Sequence, residues 1–178
     1  LMGNSGGGTM TALIAAADPR VKAACPSCYI TTIRDVVRSI GPQDAEQCVW
    51  GQLKDGINHA SLVLMTEAAV RLQFSDQDFF PIAGARSTYD VVRRTAERAG
   101  LGARYSATVV KGPHGWKESS RRSSLDWMRQ WLMDEPPNGR TDADYAALDK
   151  TFDPKTADMG LAVQEANVTP TGRTADLA

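Results

Sequence analysis

The sequence is short of the residues that announce a cofactor or a charged partner. Lysine and arginine number 20 against 21 aspartates and glutamates, a formal net charge of −1, so no basic surface for nucleic acid or an anionic membrane is expected. No apolar run approaches the ~20 residues that cross a bilayer as a helix. Cysteines number three and histidines two. Cys25-Pro26-Ser27-Cys28 has C-x-x-C spacing, but it follows a predicted strand instead of opening a helix. One further cysteine, Cys48, exists and no histidine is spaced beside the pair, so neither a redox motif nor a metal set results. No metal and no cofactor is expected. What remains is an ordinary globular composition, 42% hydrophobic and 23% charged, long enough for one domain with a core.

The chain does have glycine at its start. Leu1-Met2-Gly3-Asn4-Ser5-Gly6-Gly7-Gly8 contains G-x-S-x-G over residues 3–7, the spelling of a nucleophile elbow, a strand-to-helix turn that holds a serine hydroxyl above a sheet. The serine of such a turn sits in strained backbone, and Gly3 and Gly7, two residues before and after it, are expected to lie too close to their surroundings for side chains. Residues 9–17 read as a mostly apolar helix stopped at Asp18-Pro19. A helix starting at Ser5 points its positive end at the serine and offers the Gly6 N–H as an oxyanion donor. Only Leu1-Met2 represent the strand before the serine. An elbow serine normally follows several strands, so the chain is expected to be an internal or C-terminal piece, its fold truncated before the elbow.

Downstream, helices alternate with short strands. Strands are predicted near 21–25, 70–74 and 105–110, with helices over 60–69, 84–100 and 118–133. This is the βαβ rhythm of a mostly parallel sheet flanked by helices, class α/β. Residues 31–60 break the rhythm with a possible helix over 31–40 and a turn-rich stretch, Gly41-Pro42-Gln43-Asp44-Ala45-Glu46-Gln47; this insertion is expected over the mouth of the site. From Asp134 the chain turns polar, with Pro136-Pro137. The reading is a domain over 1–133 and a linker into a following segment over 134–178.

Three groups fall in the order serine, acid, histidine: Ser5, then Asp76 or Asp78, then His114 in the loop Gly112-Pro113-His114-Gly115-Trp116. That is the chain order of the α/β-hydrolase triad. Each lies at the C-terminal end of a strand, where open α/β sheets gather functional groups. Ser5 would attack a carbonyl carbon, His114 would take its proton and return it to the leaving group, and the acid would hold the imidazole. Either aspartate could instead cap the next turn. His59, before a predicted helix, reads as structural, and the pairs Arg93-Arg94 and Arg121-Arg122 as solvated helix faces.

Four separated motifs, Gly3-Asn4-Ser5-Gly6-Gly7-Gly8-Thr9, Asp44-Ala45-Glu46-Gln47, Asp78-Phe79-Phe80-Pro81-Ile82-x-Gly84-x-Arg86-x-x-Tyr89 and His114-Gly115, together resemble the bacterial acetyl xylan esterase-like α/β-hydrolases over residues 1–133. The resemblance implies the C-terminal portion of an α/β-hydrolase fold and a serine esterase that removes acetyl groups from a carbohydrate such as xylan. It also implies a secreted or periplasmic location. It makes Asp78, the aspartate before the paired phenylalanines, the acid that acts with Ser5 and His114. Val168-Thr169-Pro170-Thr171-Gly172 is similar to the family's T-P-T-G-Q segment, with Arg173 where glutamine is usual. The second oxyanion donor of such enzymes comes from a loop between early strands. This chain has no such loop, so the rest of the same protein, or another chain, is expected to complete sheet and site.

Two other readings use the same residues: a serine peptidase of the prolyl oligopeptidase type, and a non-catalytic fragment whose exposed sheet edge pairs with another chain. A Cys28–Cys48 disulfide would pin the insertion over the site and imply an oxidising compartment; free buried thiols are the alternative. Asn167-Val168-Thr169 fits the N-glycosylation pattern.

Overall fold

A computed structural model describes residues 1–39, 44–47 and 49–136, all within one compact unit, Leu1–Gly139. Cys48, the 167–169 sequon and the 168–173 segment lie outside the described residues. Strand β1 (Met2–Asn4) leads into helix α1 (Gly6–Ala17), followed by β2 (Ala23–Ser27), α2 (Ile33–Ser39), a 3-10 turn (Ala45–Gln47) and α3 (His59–Leu64). Then come β3 (Ala69–Gln77), α4 (Ile82–Arg98), a second 3-10 turn (Gly102–Arg104), β4 (Tyr105–Pro113) and α5 (Glu118–Leu132). The four strands form one parallel sheet in the order β1-β2-β3-β4, with β1 beside β2.

Period-two alternation along the strands divides the molecule into layers. On one face Ala24, Val70, Leu72 and Phe74 pack with Ala12 and Ala15 of α1, Leu62 and Val63 of α3, and Ala85, Val92 and Ala96 of α4. On the other, Ala23, Cys25 and Ala69 meet Trp127, Met128 and Trp131 of α5. That second face of β3 is polar beyond Ala69, and α5 satisfies part of it, leaving Arg71 Nε and Gln73 Oε1 without a partner among the described residues. Arg71 Nη1 donates to Ser123 O at 3.0 Å and its guanidinium lies 4.6 Å from the Trp127 ring centre; Gln73 Nε2 donates to Ser120 O at 2.8 Å. In return, Trp127 Nε1 donates to Ala69 O at 3.0 Å. Buried polar side chains are tolerated when so paired.

The structure departs from the sequence reading at element ends. Helix α3 stops at Leu64, five residues earlier than expected. Thr66 Oγ1 donates to Ala15 O at 2.6 Å and accepts from Ala68 N at 3.0 Å, which turns the chain out of the helix and into β3. Strands β3 and β4 each run nine residues, to Gln77 and Pro113, past the ends expected near 74 and 110. Pairing persists past Ser75 opposite Val110 to Gln77 opposite Pro113, across a bulge. Asp76 Oδ1, accepting the Gly112 N–H at 2.7 Å, holds that irregular stretch together.

The glycines of the elbow are also redistributed. A Cβ at Gly3 would stand 2.3 Å from Gly7 O, as expected, but one at Gly7 would meet nothing within 4 Å. The tight position is Gly8, whose Cβ would lie 2.3 Å from Ser27 O and 3.2 Å from Ser27 N. Gly7 points outward while Gly8 faces β2. Gly8→Ala should therefore lower stability by about 1–3 kcal/mol, because only backbone could give way. Gly7→Ala, in an exposed helical position, should raise it by up to about 1 kcal/mol. Denaturant midpoints of the two variants check this; equal effects would refute the close approach.

Candidate active site

Ser5 stands between β1 and α1 with φ 57° and ψ −122°, a left-handed conformation rare for a residue with a side chain. Two backbone bonds and one from a side chain hold it there or seat the turn. Ser5 N donates to Ser27 O at 3.0 Å, Thr9 N donates to Ser5 O at 2.9 Å, and Thr11 Oγ1 donates to Gly7 O at 2.8 Å further along. Gly6 opens α1, so its N–H belongs to the first turn, whose amides have no acceptor within the helix and carry the positive end of its dipole.

His114 follows the end of β4, and its Nδ1 donates to Asp78 Oδ1 at 2.8 Å. Asp78, not Asp76, is the carboxylate that meets the imidazole. Its side chain is 2% exposed, against 22% for His114. Oδ1 also accepts the Phe80 N–H at 3.0 Å, whereas Oδ2 has no hydrogen-bond partner among the described residues. The Phe79 ring stacks on the imidazole at 4.3 Å between centres and 29° between planes. With Nδ1 committed to Asp78, the imidazole presents Nε2 as its proton acceptor.

The loop after β4 reaches the elbow through neighbours of both key residues. The hydrogen-bond pattern orients the Asn4 amide so that its nitrogen donates to Gly115 O at 3.2 Å and Ser27 Oγ at 3.1 Å, while its carbonyl accepts from Ser5 N at 3.3 Å. Thus the residue before Ser5 grips the residue after His114. Lys117 steadies the same loop, its Nζ donating to Pro113 O and, at 2.9 Å, to Ser75 Oγ.

The spacing assigns no site role to two further neighbours. Glu46, in the insertion, lies against the elbow: a Cβ on Gly6 would stand 2.7 Å from its Oε1. Cys28, left-handed at φ 51°, is buried with its Sγ 3.4 Å from Ser75 Oγ and 3.9 Å from Gly115 O. It is a free thiol, as is Cys25, which burial pushes up to about 12 and which points to α5. Beside the site the insertion lines a cavity of about 560 Å³ with Tyr29, Val36, Trp50, Leu53 and His59, Trp50 being 99% exposed. A chain of rings joins cavity and site: Tyr29 lies 6.1 Å from Phe80, and Phe80 lies 5.9 Å from His114.

No family model and no curated protein matches the sequence. Solved structures do match the fold. A carbohydrate esterase family 15 glucuronoyl esterase from Caldicellulosiruptor kristjansonii superposes with a TM-score of 0.62 at 14% identity, over 76% of this chain and 43% of that one. A glucuronoyl esterase from Sporotrichum thermophile gives 0.56 at 13%, over 84% and 50%. An acylaminoacyl peptidase from Pyrococcus horikoshii gives 0.55 at 17%, over 82% and 26%. The chain spans half or less of the length of these structures. It has part of an α/β-hydrolase fold: four parallel strands between helical layers.

His59 opens α3, fully enclosed, 4.7 Å from the Tyr29 ring, with Nδ1 2.7 Å from Thr31 O and 3.1 Å from Thr31 N. Burial lowers it from 6.5 to about 4, against a smaller raising effect of the Thr31 backbone bond. A histidine depressed in the folded state contributes stability that is complete above its unfolded value and is lost as pH falls toward the folded one. Between pH 6.5 and 4 this group should remove about 3 kcal/mol of unfolding free energy. Unfolding of wild type and His59→Gln across that window should show the variant's slope flatter by this amount; parallel slopes would refute a neutral buried His59.

Proposed function

We propose that the protein is a serine carboxylester hydrolase that removes a small acyl group, acetyl first, from a carbohydrate such as acetylated xylan. One observation carries the reading: the 2.8 Å His114–Asp78 pair belongs to a loop that Asn4 ties to the strained Ser5 turn. Ser5 Oγ attacks the ester carbonyl while His114 Nε2 takes its proton; the carbonyl oxygen becomes an oxyanion facing the Gly6 N–H. His114, now doubly protonated and held by Asp78, gives the proton to the departing sugar hydroxyl. Water then attacks the acyl-Ser5 ester by the same proton route, releasing the acid and restoring the serine. The rest of the same protein, or another chain, supplies the second oxyanion donor and further strands beside β1. The half-exposed Leu1 and Met2 on that strand, and Met10 and Ile14 on α1, support such pairing.

Support for a carbohydrate comes from the acetyl xylan esterase-like motifs, from the named carbohydrate esterase that shares the fold, and from Trp50, whose open indole face suits the C–H face of a sugar. The shared fold of the acylaminoacyl peptidase favours a second reading, peptide hydrolysis by the same residues. Comparing acetylated xylo-oligosaccharides with acylated or proline-containing peptides as substrates of the intact protein decides between them.

Ser5→Ala should reduce ester hydrolysis about 10³-fold or more with an unchanged unfolding transition. Asp78→Asn should reduce kcat by up to about 10⁴-fold, because asparagine presents the wrong partner to Nδ1. Asp76→Asn should leave kcat nearly unchanged and lower stability instead, through the Gly112 N–H bond. Steady-state kinetics with thermal melts check all three; substantial turnover by the Ser5 variant would overturn the assignment.

A further inference from the structure

We propose that Cys28, Asp78 and His114 form a binding site for a thiophilic divalent cation, zinc first, and that the bound ion switches off the candidate catalytic pair. One ligand atom from each residue lies within 4.8 Å of the other two. The switching half rests on the hydrolase reading above; the binding half does not.

The three residues contribute in different ways. Cys28 is buried, its free thiol contacting only weak partners: the Ser27 hydroxyl donates to it at 3.6 Å, with Ser75 Oγ at 3.4 Å and Gly115 O at 3.9 Å. Asp78 has a side chain 2% exposed, and its Oδ2 is buried with no hydrogen-bond partner among the described residues. A carboxylate oxygen so placed keeps unused lone pairs in a poorly solvated place, which a cation would satisfy. His114, 22% exposed, is the side open to solvent and gives an ion its route in.

The donor set selects the metal. One thiolate, one imidazole and one carboxylate suit zinc or cobalt, with water in the fourth position, and not magnesium or calcium, which require several oxygens. Zinc bonds of about 2.0–2.3 Å in a tetrahedron place ligand atoms about 3.3–3.8 Å apart. Side-chain rotations of about 1 Å close the present 4.8 Å span. The spacing of Cys25 and Cys28 plays no part, because Cys25 faces α5.

Binding is a ligand exchange whose protons balance. The Cys28 thiol releases its S–H proton to solvent, while the His114 ring proton moves by way of solvent from Nδ1 to Nε2, so the neutral ring offers Nδ1 and one proton leaves overall. The ion takes the thiolate, Nδ1 and an Asp78 oxygen. The hydrogen bond from His114 to Asp78 is thereby replaced by two metal bonds, and Nε2, now carrying the ring proton, has no lone pair with which to take the Ser5 proton. The Lys117 ammonium, one hydroxyl away through Ser75, repels the ion, which favours reversible binding over a permanent structural site.

The experiment titrates cobalt(II) into the intact protein. Wild type should show thiolate-to-cobalt charge-transfer absorption with tetrahedral d–d bands, and Cys25→Ser should show the same. Cys28→Ser, whose hydroxyl keeps the Ser75 and Gly115 contacts, should bind about 100-fold more weakly. Zinc should inhibit hydrolysis of a small aryl acetate, reversibly with EDTA, and Cys28→Ser should resist it while keeping basal activity. Zinc X-ray absorption of loaded wild type, which needs no variant, should show one sulfur neighbour. No charge-transfer band, a Cys28→Ser protein that binds cobalt as wild type does, or zinc without a sulfur neighbour would each overturn the site. Cobalt binding with no hydrolase activity on any ester or peptide would retire the hydrolase reading and keep the site. Full activity in zinc-saturated protein would remove the switch.

Discussion

The carbonyl oxygen of Ser27 sits where α1 leaves the sheet: it accepts the Ser5 N–H at 3.0 Å and lies 2.3 Å from where a Gly8 Cβ would be. Helix and strand can approach this closely only because residue 8 has no side chain. The approach fixes the height of the first turn of α1 above β2, and with it the left-handed backbone of Ser5. The same contact brings β2 to its end beside the elbow, so that Cys28 emerges next to the loop after β4. Backbone strain at Ser5 is tolerable because the surrounding bonds over-determine it.

The opposite wall depends on how far β3 and β4 stay paired. Their nine-residue registers carry both strands beyond the sheet that β1 and β2 form, and the bulge near Asp76 bends them there. The roles of Asp76 and Asp78 separate: Asp76 binds the Gly112 backbone beside the bulge, while Asp78 reaches His114. Close packing continues behind the site. A Cβ at Gly84 would stand 2.4 Å from both Asp35 Oδ2 and Thr31 Oγ1, which accounts for glycine in the first turn of α4 and ties the insertion to the aspartate loop. Thr31 Oγ1 donates to Pro81 O at 2.9 Å across the same junction.

Around these walls the site mixes charges. The helix end at Gly6 attracts negative charge, yet the Glu46 carboxylate already lies there. The positive helix end and a carboxylate thus face each other at the elbow. The His114 imidazole is clamped between Asp78 and the Phe79 ring, so its orientation is fixed from two sides. Cys28, close to both Asp78 and His114, is a buried soft donor.

The sequence by itself determined the class and the order of the parts. Short apolar runs alternating with helical stretches specify parallel strands between helices, and G-x-S-x-G, the Asp78-Phe79-Phe80 run and His114-Gly115 name residues whose chemistry is local. These features are legible because periodicity and turn chemistry act over a few neighbouring residues. Which glycine is crowded, where β3 ends, that Asp76 holds the Gly112 backbone and that Cys28 lies beside Asp78 and His114 were decided by tertiary structure. Each depends on strand register and on helix-to-sheet distance, set by packing between residues tens of positions apart: Gly8 on Ser27, Asp76 on Gly112, Asn4 on Gly115. A shift of one residue in register would exchange the faces of β3 and move Asp78 away from His114 without altering the local sequence pattern.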